Sequence, residues 1–208
     1  KSILFLVFIF SPMLLYAQKK QLATARESLK TGKELVKAEK SMQNLLEDSV
    51  NRTNTKIWVM LCDILMKQYE QGNEKLYLKQ QYDTAAFFSV TKRMYETMAK
   101  FDSIDAHLSM PSPVLPKYRE RHAQFLNSIR PNLFNGGTYF LHVKDYKTAY
   151  DYFDNYIKTD KQSLFIGYDY EHKDDLMPHA AYWAMYCGYK LGDTEKTMRY
   201  LNLAERDS

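Results

Sequence analysis

Apolar residues recur at helical spacing along most of the chain, and alternating apolar and polar runs of strand type are nearly absent. From Gln21 to Leu46, Leu22, Ala25 and Leu29, then Leu35, Ala38, Met42 and Leu45 share a face, which predicts one helix or two with Gly32 as the break. Thr55 to Tyr69 predicts a helix buried through Ile57, Trp58, Leu61, Leu65 and Met66, ended at Gln71-Gly72-Asn73 with glycine as a left-handed cap. Asp83 is placed to cap a helix from Thr84 to about Phe101, with Ala85, Phe88, Tyr95 and Met98 as most of its buried stripe. Pro111, Pro113 and Pro116 cannot continue a helix and predict a stiff extended connector.

Lys117 to Ile129 is helical again, and Pro131 marks the next break. Asn132–Val143 and Tyr146–Lys158 form a pair across a tight Lys144-Asp145 turn, Tyr168–Asp175 reads as a polar loop, and Pro178–Leu191 pairs with Thr194–Glu205 across Gly192-Asp193. The expected divisions are a leader at 1–17, a helical segment at 18–108 with a degenerate helix pair, a connector at 109–116, and helix pairs at 117–208.

The leader rests on a three-part pattern: Lys1, an apolar run from Ile3 to Phe10, and Leu15-Tyr16-Ala17 before a cut at Gln18. The run is short for a bilayer span, and the alternative is a retained membrane anchor. No cysteine follows the cut, which argues against a lipoprotein anchor. The lack of an initiator methionine is read as a chain beginning at its second residue. The remainder, about 190 residues, suits one domain or a short repeat array.

With 29 Lys and Arg against 25 Asp and Glu, interleaved, the net charge of +4 gives no electrostatic case for nucleic acid. Cys62 and Cys187 read as buried small hydrophobes, with pairing open in an exported protein; two cysteines make neither a disulfide framework nor a four-ligand metal site. Asn51-Arg52-Thr53 matches a glycosylation acceptor by a three-residue pattern that recurs by chance.

Gln80-Gln81-Tyr82-Asp83-Thr84-Ala85 aligns with Lys144-Asp145-Tyr146-Lys147-Thr148-Ala149, and more loosely with Gly192-Asp193-Thr194-Glu195-Lys196-Thr197. Gly136-Gly137 precedes the second of these, and Phe140, Phe153 and Tyr156 surround it. These segments resemble the tetratricopeptide (TPR) repeat family, in which small residues sit where two helices cross and bulky ones fill the space beside them. The likeness covers 132–158 well, 178–205 less well and 55–100 in part. Its steps are longer than the family's roughly 34-residue period, Thr197 stands where Ala is expected, and no Pro follows Tyr156. The resemblance implies an all-α fold of antiparallel helix pairs stacked as a short right-handed solenoid. With the leader, it is similar to exported TPR-type proteins of Bacteroidetes, which implies a periplasmic or envelope location. The chain stops at Ser208 without a polar capping helix, which is read as a fragment of a longer protein or an end that docks.

Asp169, Glu171, His172, Asp174 and Asp175 are the densest set of potential metal ligands, but their order does not match a calcium loop, and a solvated connection is the preferred reading. His107, His122, His142, His172 and His179 lack metalloprotease spacing, and no nucleophile elbow or phosphate loop is present. The expectation is therefore no catalysis, no cofactor and no metal. Phe153 and Tyr156 read as core. Tyr139, Tyr150 and Tyr152, unable all to face inward, are candidates to line a groove, with Lys147 and Arg199 placed to receive acidic groups. The expected function is an exported scaffold that holds a protein or peptide, with membrane association only through that partner or an uncleaved leader. The alternatives are a glycan-binding accessory protein similar to the SusD-like group, disfavoured because Trp58 and Trp183 read as buried, and the non-catalytic part of a longer exported enzyme.

Overall fold

The computed structural model describes residues 2–108 and 116–207, and every regular element among them is helical. The expected connector at 109–115 lies outside the described residues, as do the side chains of the leader's apolar run. The chain forms two compact units, Lys1–Tyr82 and Asp83–Ser208. Among the described residues no helix is long and apolar enough to cross a membrane.

In the first unit, α1 (Ser2–Thr31), α2 (Leu35–Glu47) and α3 (Thr55–Tyr77) pack on one another. Gly32 makes the predicted break, at φ 68°. Ala25, Leu35, Ala38, Met42, Ile57, Leu61 and Leu65 fill the space between the helices. Trp58 is buried, and its indole N–H donates to the Arg52 carbonyl at 2.7 Å, tying the start of α3 to the preceding turn. The buried Glu39 carboxylate accepts from Gln68 Nε2 at 2.7 Å and Gln43 Nε2 at 3.1 Å, which offsets its loss of water. Gly72 is not the end of α3. The helix runs through it to Tyr77, and the missing side chain seats the Tyr82 ring, which a Cβ at Gly72 would meet at 2.9 Å.

The second unit contains α4 (Thr84–Leu108), α5 (Arg119–Ile129), α6 (Pro131–His142), α7 (Tyr146–Lys158), a one-turn α8 (Tyr170–Lys173), α9 (Leu176–Lys190), α10 (Thr194–Met198) and α11 (Leu201–Ala204). Helix α4 packs on α5 and α6, α7 lies against both α6 and α9, and α9 lies against α7, α10 and α11. Phe87, Phe88, Met94, Tyr95, Met98 and Phe101 of α4 are buried, together with Leu126, Leu133, Phe153 and Tyr156. Ala85 of the expected stripe is half-buried. The last predicted helix is interrupted at Arg199-Tyr200, where Tyr200 leaves helical backbone (φ −116°, ψ 18°) and its hydroxyl donates to Asp154 Oδ1 at 2.6 Å.

Three helix ends close identically. At Lys79, Lys144 and Gly192 the backbone turns left-handed, at φ 53°, 63° and 67°. The next N–H reaches five residues back, Gln80 to Lys75 at 2.8 Å, Asp145 to Phe140 at 2.9 Å and Asp193 to Gly188 at 3.0 Å. This is the Schellman closure. An aspartate then caps each following helix: Asp83 accepts from Ala86 N–H at 3.1 Å, Asp145 from Thr148 N–H at 3.1 Å and Asp193 from Lys196 N–H at 3.0 Å. The three helix ends share one closure, but the cap follows at once only after Lys144 and Gly192; after Lys79 three residues, 80–82, intervene before Asp83.

Close crossings follow the small residues. A Cβ on Gly137 would meet Phe153 at 2.6 Å, and one on Gly136 would meet Tyr152 at 2.7 Å, so α6 and α7 approach where side chains are missing. In the last pair the approach falls at Gly188, whose added Cβ would stand 2.5 Å from the Thr197 backbone nitrogen. The residue aligned with Gly137 is Met185, so the second pair crosses at another place.

The junction of α4 and α5 is polar and buried. Arg119 donates from Nε and Nη2 to the two oxygens of Asp102, each at 2.8 Å, and Ser163 Oγ donates to the same carboxylate at 2.8 Å. His122 sits 5.9 Å from the Phe101 ring centroid and 6.0 Å from that of Tyr118. Burial, reinforced by Arg121 and only partly opposed by Asp102, lowers its pKa to about 4.

Two outcomes follow from this packing. Gly188→Ala meets backbone rather than a movable side chain, so urea denaturation should show a loss of about 1–3 kcal/mol despite the gain in helix propensity. His122 is held neutral in the fold and titrates near 6.5 when unfolded, so the unfolded chain binds the extra proton between these values. Stability is full above about pH 6.5 and falls progressively to about pH 4, by on the order of 3 kcal/mol. His122→Gln should flatten that part of a stability–pH profile.

Candidate functional site

Of the acidic residues predicted to lie on a solvated loop, Asp169 and Asp175 are exposed as expected, while Asp174 and Glu171 are drawn into ion pairs and hydrogen bonds. Arg130, at the junction of α5 and α6, is 4% exposed. Its guanidinium lies 3.8 Å from the ring centroids of both Tyr156 and Tyr170. Nε donates to Thr159 Oγ1 at 2.9 Å, Nη2 to the Tyr156 carbonyl at 3.2 Å and to Met177 Sδ at 3.2 Å, and Nη1 pairs with Asp174. The Tyr156 hydroxyl donates to the same Asp174 oxygen at 2.6 Å, and the Tyr170 hydroxyl donates to Asn127 Oδ1 at 2.7 Å. Burial raises the pKa of both tyrosines.

The other carboxylates are engaged separately. Glu171 accepts from Lys161 at 2.6 Å and Arg206 at 2.9 Å, and the hydrogen bond from Lys161 leads in lowering its pKa to about 2. Asp169 lies 2.6 Å from His172 Nδ1, the contact that does most to lower its pKa. Among the described residues no group of three or more His, Cys, Asp or Glu side chains is gathered to hold a metal ion. A shallow pocket of about 530 Å³ lies over Arg130, Tyr156, Tyr168 and Tyr170, but Arg130 spends its donors inside the protein, so the cluster is structural.

The five expected groove residues do not form one surface. Tyr150 and Tyr152 are each 2% exposed, a correction to their groove role. Two residues apart on a helix they point in nearly opposite directions, and both directions are covered because α7 has helices on two sides. Tyr152 packs on Phe140 at 5.3 Å and Phe88 at 6.5 Å. Tyr150 lies under Lys196, 5.6 Å from its ring centroid; its hydroxyl is buried without a partner, and burial, then Asp154, raises its pKa to about 12. Tyr139 is half-buried against Phe88 and Phe140. Arg199 is bound to Glu195 at 2.6 Å and lies 3.5 Å from Asp154. Lys147 is exposed.

An exposed aromatic face exists elsewhere, on α9. Its buried side carries Ala180, Ala181, Ala184, Cys187 and Gly188. Its bulky residues are on the outside: Tyr182 is 55% exposed and Tyr189 69%, with Trp183 and Tyr186 half-buried between them. Trp183, expected in the core, is therefore a surface residue in part, because small side chains hold the packed side of α9. Trp183 meets Tyr182 at 5.1 Å and Tyr186 at 5.8 Å, and Tyr186 meets Tyr146 of α7 at 6.3 Å. Lys190 Nζ stands 5.3 Å and 5.9 Å from the Tyr186 and Tyr189 ring centroids. The signal was present in the spacing of small residues at 180, 184 and 188 against aromatics at 182, 186 and 189. Cys62 and Cys187 are buried and not joined in a disulfide, and burial pushes the Cys187 thiol up to about 12, away from reactive thiolate character.

No protein-family model, curated protein or solved structure matches the chain.

Removing the Arg130 charge leaves Asp174 and Thr159 without their main partner. Arg130→Leu should cost about 3–5 kcal/mol in chemical denaturation, and Arg130→Lys, which cannot form the planar fork between two rings, should recover only part of it.

Proposed function

We propose that the chain is an exported, TPR-like scaffold that holds a protein or peptide by side-chain complementarity, without bond chemistry. The single observation that carries this reading is the exposed Tyr and Trp face of α9, in a unit whose candidate chemical groups are otherwise engaged in internal contacts. Aromatic residues that give large contact area at low entropy cost are characteristic of binding hot spots. The left-handed closure shared by three helix ends and the close crossings at Gly137 and Gly188 support the TPR-like stacking. Export to the periplasm or envelope rests on the N-terminal pattern, and attachment to a membrane would come through the partner or an uncleaved leader. Fold-level likeness does not assign a function, so the α9 face carries the functional part of the reading.

A second reading, a glycan-binding accessory protein, gains from one observation: Trp183 is not fully buried and stands beside the exposed Tyr182. Affinity capture from envelope extract, with the full chain and with Tyr182→Ser/Tyr189→Ser in parallel, separates the two. The scaffold reading expects one dominant protein retained by the native chain and at least about tenfold depleted with the double variant. Saturable binding to oligosaccharides with no retained protein would overturn it.

A further inference from the structure

Resting on the scaffold reading, the geometry of α9 says what kind of partner fits. Tyr182, Tyr186 and Tyr189 recur at intervals of three and four, the spacing by which one helix presents a ridge to another. Along the axis this ridge runs about 10 Å, two turns of helix. Three of its polar groups are tyrosine hydroxyls, which donate and accept, and two are donors alone. The Trp183 indole N–H and the Lys190 ammonium can only donate, and among the described residues neither has a hydrogen-bond or ion-pair partner.

The charge on this face is one-sided. Helix α9 contains no Asp or Glu, and its charged end is Lys190, resting over two rings that remove part of its water. An ammonium so placed, without a counter-charge, is completed by an incoming carboxylate.

We propose that the outer face of α9 docks an amphipathic helix whose apolar side chains pack between the tyrosines and whose acidic side chains reach Lys190. A basic partner would meet Lys190 unfavourably, and a wholly apolar one would leave the ammonium and the indole N–H buried without acceptors.

The test uses the full chain and two synthetic amphipathic peptides of about four helical turns. Both carry leucine at i, i+4, i+7 and i+11; one has glutamate and the other lysine at the polar positions. Fluorescence anisotropy should give saturable binding of the acidic peptide, at least about tenfold tighter than the basic one and weakened by salt. Tyr189→Ala and Lys190→Gln, both at exposed positions that leave the fold intact by circular dichroism, should each lower affinity about fivefold or more. The fluorescence change produced by unlabelled acidic peptide should vanish in Trp183→Phe.

Equal binding of the two peptides overturns the proposal. So does acidic-peptide binding that ignores Tyr189→Ala and Lys190→Gln, an outcome in which another surface binds and the scaffold reading stands. Concentration-dependent self-association abolished by Tyr189→Ala assigns the face to a second copy and also overturns it. Oligosaccharide binding with no response to either peptide removes both this proposal and the scaffold reading.

Discussion

A guanidinium taken out of water requires all of its donors to be met, and Arg130 imposes that demand on the second unit. Its partners come from the end of α7, the turn that follows, the one-turn α8 and the start of α9. None of these segments is free to move without leaving a buried charge incomplete, a far larger penalty than any surface contact in the region returns. The guanidinium plane between Tyr156 and Tyr170 adds a geometric condition that lysine cannot satisfy. A stretch that reads as a polar linker is thereby ordered, and Asp174 and Glu171 within it are committed to cations of the chain itself.

The second constraint is steric. Helix pairs in this unit approach where a side chain is missing, at Gly137 and at Gly188, and the bulky residues are displaced to whichever side remains. For α6 and α7 the displaced bulk enters the core, where Phe153 and Tyr152 occupy the room left by the two glycines. For α9 it goes outward, since small residues line the packed side. Hydrophobic surface that usually stabilises a fold is thus presented to solvent at Tyr182 and Tyr189.

The functional reading follows from what these two constraints leave over. Of the carboxylates that looked available for a metal, Asp169, Glu171 and Asp174 are paired, the histidine deepest in the protein is neutral and walled by rings, and the Cys187 thiol is shielded. What faces outward is an aromatic ridge with one cation.

Helical content, most element boundaries, the turns at Lys144-Asp145 and Gly192-Asp193 and the Asp83 cap were legible in the sequence, because each depends on a few neighbouring residues and their intrinsic backbone preferences. The role of Gly72 was not legible, since a glycine that makes room for a distant ring looks the same in sequence as one that ends a helix. The burial of Tyr150 and Tyr152 and the exposure of Tyr182 and Trp183 were also hidden. Periodicity tells which residues share a face, but which face is covered depends on how many helices surround it. For α7 there are neighbours on opposite sides, and for α9 the packed side beyond Met177 accepts small residues. Local propensity therefore decided the elements, while the direction of each aromatic side chain was settled by tertiary packing, because only assembled helices determine where volume is available.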